Sequence, residues 1–155
     1  MTEVVIRACV QTQDIDPVAE QAWLRAQGQQ IGAILEFTGY VRPDAEAGEG
    51  VQALYLEHYA GMTEKTMQEI ASEACSRWPL QAISMVHRVG QLQLGERIIY
   101  LGVASAHRKA GLAAVDFMMD FLKQDVPIWK KELRRESSAW VEPKGADIAA
   151  KKAWD

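Results

Sequence analysis

Three rhythms of apolar and polar positions run along the chain and predict its elements. Val4 to Val10 is rich in β-branched residues and reads as a strand. Asp16-Pro17 opens a helix, with Asp as N-cap and Pro at the first helical position, and Gly28 ends it. Ile31 to Thr38 is a second strand, and residues 42–50 have loop chemistry, with Pro, Gly and acids. Val51 to Tyr59 alternates, with Leu54, Leu56 and His58 on one face and Tyr55, Glu57 and Tyr59 on the other. Thr63 caps a helix whose apolar stripe is Met67, Ile70, Ala71, Ala74 and Trp78; Pro79 stops it.

The second half continues this order. Ala82 to Val89 reads as a strand and Gly90 to Gly95 as a turn. Ile98 to Ala104 is a continuous apolar run, as expected of a central strand buried on both faces. Ser105 caps a long helix through Lys123, with Ala114, Val115, Met118, Met119 and Leu122 inward; Val126-Pro127 breaks it. A short basic stretch, WKKELRR, follows. Trp140-Val141 forms a small strand and Asp147 to Trp154 a terminal helix. Paired strands alternating with single helices predict an α+β fold with a mixed sheet.

Composition narrows the classes. The 155 residues make one domain, 1–155, of average globular mix: 48% hydrophobic, 25% charged, with no repeats or linker. A net charge of −4 argues against a general nucleic-acid binder, which needs surplus cations. Two cysteines, Cys9 and Cys75, give no C-x-x-C and suit a reducing compartment. The N-terminus has no signal-peptide pattern and no apolar run is long enough to span a membrane, so a cytoplasmic protein is expected. His58, His87 and His107 match no metal-ligand spacing, so no metal site is expected; His58 and His87 read as core histidines. Both cysteines read as inert, small and buried.

The candidate chemistry is cationic. His107 and Arg108 stand at the start of the long helix, where unpaired N–H groups already favour anions. Stability alone would place acids there, so a phosphate site and two solvated side chains are both open readings. From 123 to 135 five cations (Lys123, Lys130, Lys131, Arg134, Arg135) face two acids, Asp125 and Glu132. Arg42, after Gly39, is a further candidate. His107 and Lys123 are sixteen residues apart, about 24 Å along one helix, too far for one small substrate. Either they serve different sites, or two chains combine, as in a symmetric dimer.

An ordered set of motifs then acquires meaning: Phe37-Thr38-Gly39-Tyr40-Val41-Arg42, Leu56-Glu57-His58-Tyr59-Ala60-Gly61-Met62, His87-Arg88-Val89-Gly90, Ser105-Ala106-His107-Arg108, Met119-Asp120-Phe121-Leu122-Lys123 and Trp129-Lys130-Lys131-Glu132. Over residues 4–154 the chain resembles the large, catalytic subunit of molybdopterin synthase. The resemblance implies an α/β-hammerhead fold and a homodimer at the centre of a heterotetramer. It implies sulfur transfer to cyclic pyranopterin monophosphate (precursor Z), which forms the dithiolene of molybdopterin. Sulfur would arrive as a thiocarboxylate on the Gly-Gly terminus of a small ubiquitin-like partner, with no permanently bound cofactor. By this match Lys123 and Lys130 are the catalytic pair. Arg42, His107 and Arg108 would bind phosphate and pterin, Phe37 and Met119 would line the pocket, and Tyr40, Val41, Lys131 and Glu132 would flank it. His107 and Arg108 would come from the neighbouring subunit. The alternative is a non-catalytic dimeric α+β module that binds an anionic metabolite.

Overall fold

A computed structural model describes residues 3–43, 52–134, 138–141 and 144–154. Residues 44–50 of the expected loop, Val51 and Arg135 lie outside the described residues. Two four-stranded sheets organise the rest. In the first, β1 (Val5–Gln11) pairs parallel with β4 (Ala82–Arg88), β4 antiparallel with β6 (Arg97–Ser105), and β6 antiparallel with β2 (Ala33–Tyr40). In the second, β5 (Gly90–Gln93), β3 (Ala53–His58), β7 (Ile128–Leu133) and β8 (Ser138–Val141) lie in that order, all antiparallel. One sheet is therefore mixed, and the α+β class predicted from the sequence holds.

Four helices accompany the sheets: α1 (Pro17–Arg25), α2 (Met62–Arg77), α3 (Arg108–Asp125) and α4 (Gly145–Lys152). The stripes of α2 and α3 meet the first sheet in the main core, where Met67, Met85, Leu101, Phe117 and Met118 are fully buried. Leu24 of α1 packs on Val86 and Tyr100 in a second cluster. A third cluster, Val41, Leu54, Leu56, Val89 and Leu92, lies beneath the second sheet. β6 is buried from Ile99 to Ser105, as its unbroken apolar run predicts.

Capping matches the sequence at one helix and departs from it at two. Asp16 Oδ1 accepts from the N–H groups of Val18 and Ala19, both at 3.1 Å, with Pro17 first in α1. The N-cap of α2 is Gly61, not Thr63; its φ of +84° is a conformation glycine adopts without strain. Its N–H donates to Glu64 Oε2 at 2.7 Å. Thr63 is freed for a tertiary contact, its hydroxyl donating to the Pro127 carbonyl. The N-cap of α3 is His107, not Ser105, which is buried at the end of β6 and donates to the His107 carbonyl at 2.7 Å. The close approach of α3 to β2 requires Gly111, where a Cβ would stand 2.1 Å from Leu35 Cδ2.

Two elements differ from expectation. Gly90 to Gly95 is not a simple turn: β5 pairs with β3, Leu92 facing Leu54, and the turn is confined to Leu94-Gly95. Leu92 is fully buried and draws these residues into the sheet. The basic stretch after Pro127 is a strand, β7. Two of its cleft-lining residues, Lys130 and Glu132, are charged, so the apolar alternation that marks a strand is missing.

His58 and His87 are half-buried. His58 Nε2 lies 3.8 Å from Glu64 Oε1, and His87 Nδ1 lies 2.8 Å from the Arg88 carbonyl. Burial holds the His87 imidazole down at about 4, with His58 nearby acting in the same direction. Burial also raises the thiols of Cys9 and Cys75, both half-buried, so neither has the lowered pKa of a reactive cysteine. No helix among the described residues is long and apolar enough to cross a membrane.

Candidate active site

A cleft of ≈ 760 Å³ opens where α3 ends and β7 begins. Val126 is extended (φ −73°, ψ 125°), as the residue before proline must be, and the chain turns back through Pro127 into β7. The reversal matters because Lys123 and Lys130, on different elements, both line this cleft. Lys123, in the last turn of α3, is exposed; Lys130 on β7 is half-buried. β7 contributes Ile128, Trp129, Lys130 and Glu132 to the lining.

The opposite wall is Tyr40, Val41 and Arg42, where β2 ends. Val41 is buried, donates to the Glu96 carbonyl at 2.9 Å and accepts from the Gly95 N–H at 2.7 Å. These two bonds hold the chain just before Arg42, whose exposed side chain lines the cleft. Thr63 braces the turn from behind. Its fully buried hydroxyl lies 3.0 Å from both the Tyr59 and Pro127 carbonyls.

The field in the cleft acts on Lys130. Burial lowers its pKa most, and Lys123 and Lys144 lower it further by like charge; Glu132 and Asp147 oppose the shift. A lysine so placed exchanges its proton more readily than a solvated one. Glu132 also holds Arg134, at 2.9 Å.

Of the residues singled out in the sequence, the cleft gathers Lys123, Lys130, Arg42, Tyr40, Val41 and Glu132. The others stand apart from it. Lys131 points to the other face of β7, its Nζ 5.6 Å from the Trp140 ring. Phe37 lies on β2, 38% exposed, outside the cleft lining. Met119 packs half-buried against the main core. His107 and Arg108 are exposed at the start of α3, about 24 Å from Lys123 by helix rise. Among the described residues no group of three or more His, Cys, Asp or Glu is arranged to hold a metal ion. Sequence reasoning missed Lys144 and Asp147 at the start of α4, which line the cleft too. Their only local signal is an opposite-charge pair three residues apart, on one side of a helix start.

Comparison with known proteins gives this geometry a family. The model of the family described as MoaE protein matches residues 10–125. The chain is 46% identical over 149 residues to the molybdopterin synthase catalytic subunit of Vibrio cholerae, covering 96% of this chain and 98% of that one. Its fold superposes on the molybdopterin biosynthesis MoaE protein of Burkholderia ambifaria with a TM-score of 0.81 and 42% identity, over 98% of both chains. It superposes on a chain of the Staphylococcus aureus molybdopterin synthase with a TM-score of 0.82 and 31% identity, over 87% of this chain and 96% of that one. A Helicobacter pylori chain, solved in a complex of subunits 1 and 2 of the molybdopterin-converting factor, shares the fold at 18% identity and a TM-score of 0.70, with 91% of each chain covered. With a cationic cleft built from the motifs of its sequence, and with relatives matched almost end to end, the chain belongs to the MoaE protein family, the catalytic subunits of molybdopterin synthase, an enzyme of molybdopterin formation.

Proposed function

We propose that the cleft transfers sulfur from the thiocarboxylated C-terminus of a small ubiquitin-like subunit to cyclic pyranopterin monophosphate, forming the dithiolene of molybdopterin. One observation carries this reading: Lys123 and Lys130, either side of a proline break, converge with Arg42 on one cleft. Both reactants are anions, a cyclic phosphate and a thiocarboxylate, and both are drawn to such a cluster. Negative charge that builds on oxygen and phosphate leaving groups is stabilised by cations already in place, commonly the largest catalytic contribution. Lys130, with its lowered pKa, carries protons; Lys123, exposed in the last turn of α3, serves chiefly as fixed charge. Tyr40, Val41 and Glu132 shape the walls. Sulfur comes from the partner, so no resident cofactor is required, and the two thiols, raised by burial, stay out of the chemistry.

His107 and Arg108 bind substrate in the cleft of a second copy of the chain, with Phe37, Met119 and Lys131 completing its surroundings. The distance along α3 supports this arrangement, because one straight helix cannot present both ends to one small molecule. The assembly is then a homodimer carrying two small subunits, and a protein whose free cysteines stay reduced suits the cytoplasm. The Helicobacter pylori two-subunit complex supports a partner of this kind.

The test is reconstitution. Purified protein, precursor Z and a thiocarboxylated small subunit are mixed, and dithiolene pterin is measured. Product that depends on both additions is expected; none, with both components competent against an active synthase, overturns the reading.

A further inference from the structure

The terminal helix enters the chemistry. α4 is fastened along α3: the Trp154 indole N–H donates to Asp120, Lys151 pairs with Asp125, and the Trp154 ring packs edge-on against Phe117 at 5.7 Å. This docking brings the first turn of α4 onto the cleft, where Lys144 and Asp147 form part of the wall with Lys130. We propose that Lys144 and Asp147 are positioning residues of the active site, a cation and a carboxylate that bracket Lys130 and set how readily its ammonium gives up a proton. This rests on the sulfur-transfer reading only in taking Lys130 as the proton carrier.

Two observations support it. Lys144 is the N-cap of α4, makes no side-chain cap bond and puts a cation at the positive end of the helix. Helix stability favours Ser, Thr, Asp or Asn there, so local preference does not account for the lysine. Asp147, by contrast, suits the first turn, its N–H accepted by the Lys144 carbonyl at 3.0 Å, which ties the two residues into one turn. The charged and titratable groups that line the cleft with Lys130 are Lys123 and Asp125 of α3, Glu132 of its own strand, Arg42 and Tyr40 at the end of β2, and this pair from α4; of these, Lys123, Glu132, Lys144 and Asp147 act on its charge. Asp125 is already engaged by Lys151 and Glu132 by Arg134. Lys144 and Asp147 carry opposite signs and have no ion-pair partner among the described residues. Their effects on Lys130 oppose each other: Lys144 favours the neutral amine, Asp147 the ammonium.

The experiment follows the Lys130 amine directly. Lysines of the full chain are labelled at Cε with ¹³C, the Lys130 signal is assigned by its loss in Lys130→Arg, and its titration is recorded by NMR. Lys144→Gln is expected to move the midpoint to higher pH and Asp147→Asn to lower pH, with Lys144→Arg close to wild type. The limb of the kcat/KM profile that reports Lys130 moves in the same directions, which a merely structural role would not produce. Lys144 is exposed and Asp147 half-buried, and circular dichroism verifies that each variant keeps the fold. Midpoints unmoved in both Lys144→Gln and Asp147→Asn overturn this inference and leave the sulfur-transfer reading intact. A wild-type chain that makes no product in the reconstitution overturns that reading whatever the midpoints do.

Discussion

The hydroxyl of Thr63, on α2, sits 3.0 Å from the carbonyl oxygen of Pro127, 64 residues away in the turn between the two cleft lysines. It also accepts from the Tyr59 N–H at 3.1 Å. With one proton to give, the hydroxyl shares it between the Tyr59 and Pro127 carbonyls. The start of α2 thereby holds the reversal that brings Lys123 and Lys130 to one cleft. Thr63→Val keeps the shape and removes the bonds, leaving the part-buried Pro127 carbonyl without its donor and the Tyr59 N–H without its acceptor, which costs about 1–3 kcal/mol. Turnover is expected to fall about tenfold or more, since small displacements of positioned groups are expensive in rate. Thr63→Ser retains the hydroxyl and most of the activity. Urea unfolding and single-turnover product formation check both. A Thr63→Val enzyme with wild-type kcat would show that the turn holds itself.

Removing either lysine while the fold persists separates charge from proton transfer. Lys123→Ala is expected to lose at least about a hundredfold in turnover, the scale of one preorganised electrostatic contact. Lys130→Ala is expected to be impaired similarly. The arginine replacements then diverge. Lys123→Arg keeps a cation and recovers part of the rate. Lys130→Arg stays impaired, because guanidinium does not deprotonate in this range. Equal rescue of both by arginine would remove the proton-carrying role from Lys130.

What was legible in the sequence divides along physical lines. Elements whose rhythm records burial were readable: the unbroken run of β6, the stripe of α2, and the Asp16-Pro17 start of α1. β7 was not, because Lys130 and Glu132 line a polar cleft and the apolar alternation disappears. β5 was hidden by its length, four residues with only Leu92 buried. Helix starts were misplaced where a hydroxyl serves something other than the cap, as at Thr63 and Ser105. In the site, Lys123, Lys130 and Arg42 lay within recognisable motifs, and the separation of His107 from Lys123 followed from helix rise alone. Lys144 and Asp147 were invisible because they reach the cleft only through the docking of α4 on α3, a tertiary contact made by Trp154 and Lys151.

Gly111 offers a case where helix propensity and packing predict opposite signs. An interior helical glycine is about 1 kcal/mol less favourable than alanine, so propensity alone makes Gly111→Ala stabilising. At this position the added Cβ would lie 2.1 Å from Leu35 Cδ2 and 2.9 Å from Ser105 Oγ. The Leu35 and Ser105 side chains, or the elements that carry them, must shift, and overpacking of this kind costs about 1–3 kcal/mol. Net destabilisation is expected, read as a lower urea midpoint with an unchanged slope. A gain in stability would mean that the α3–β2 contact yields easily.

Acid sensitivity is expected to reside in His87. Its folded pKa, about 4, lies below the ordinary 6.5 because burial disfavours the imidazolium. The unfolded chain therefore binds the proton first as pH falls, and the native state loses stability between pH 6.5 and 4. Integrated from pH 7 to pH 5, the loss from this one group is about 2 kcal/mol. Below pH 4 the native imidazole also protonates and the loss levels off. Carboxylates add their own pH dependence, so the diagnostic quantity is a difference between proteins. His87→Leu is expected to be less stable than wild type at pH 7, because the Arg88 carbonyl loses its ring partner at 2.8 Å. Its further loss from pH 7 to pH 5 is smaller than that of wild type by about the same 2 kcal/mol. Urea unfolding of both proteins at the two pH values measures it, and parallel losses would assign the acid sensitivity to the carboxylates.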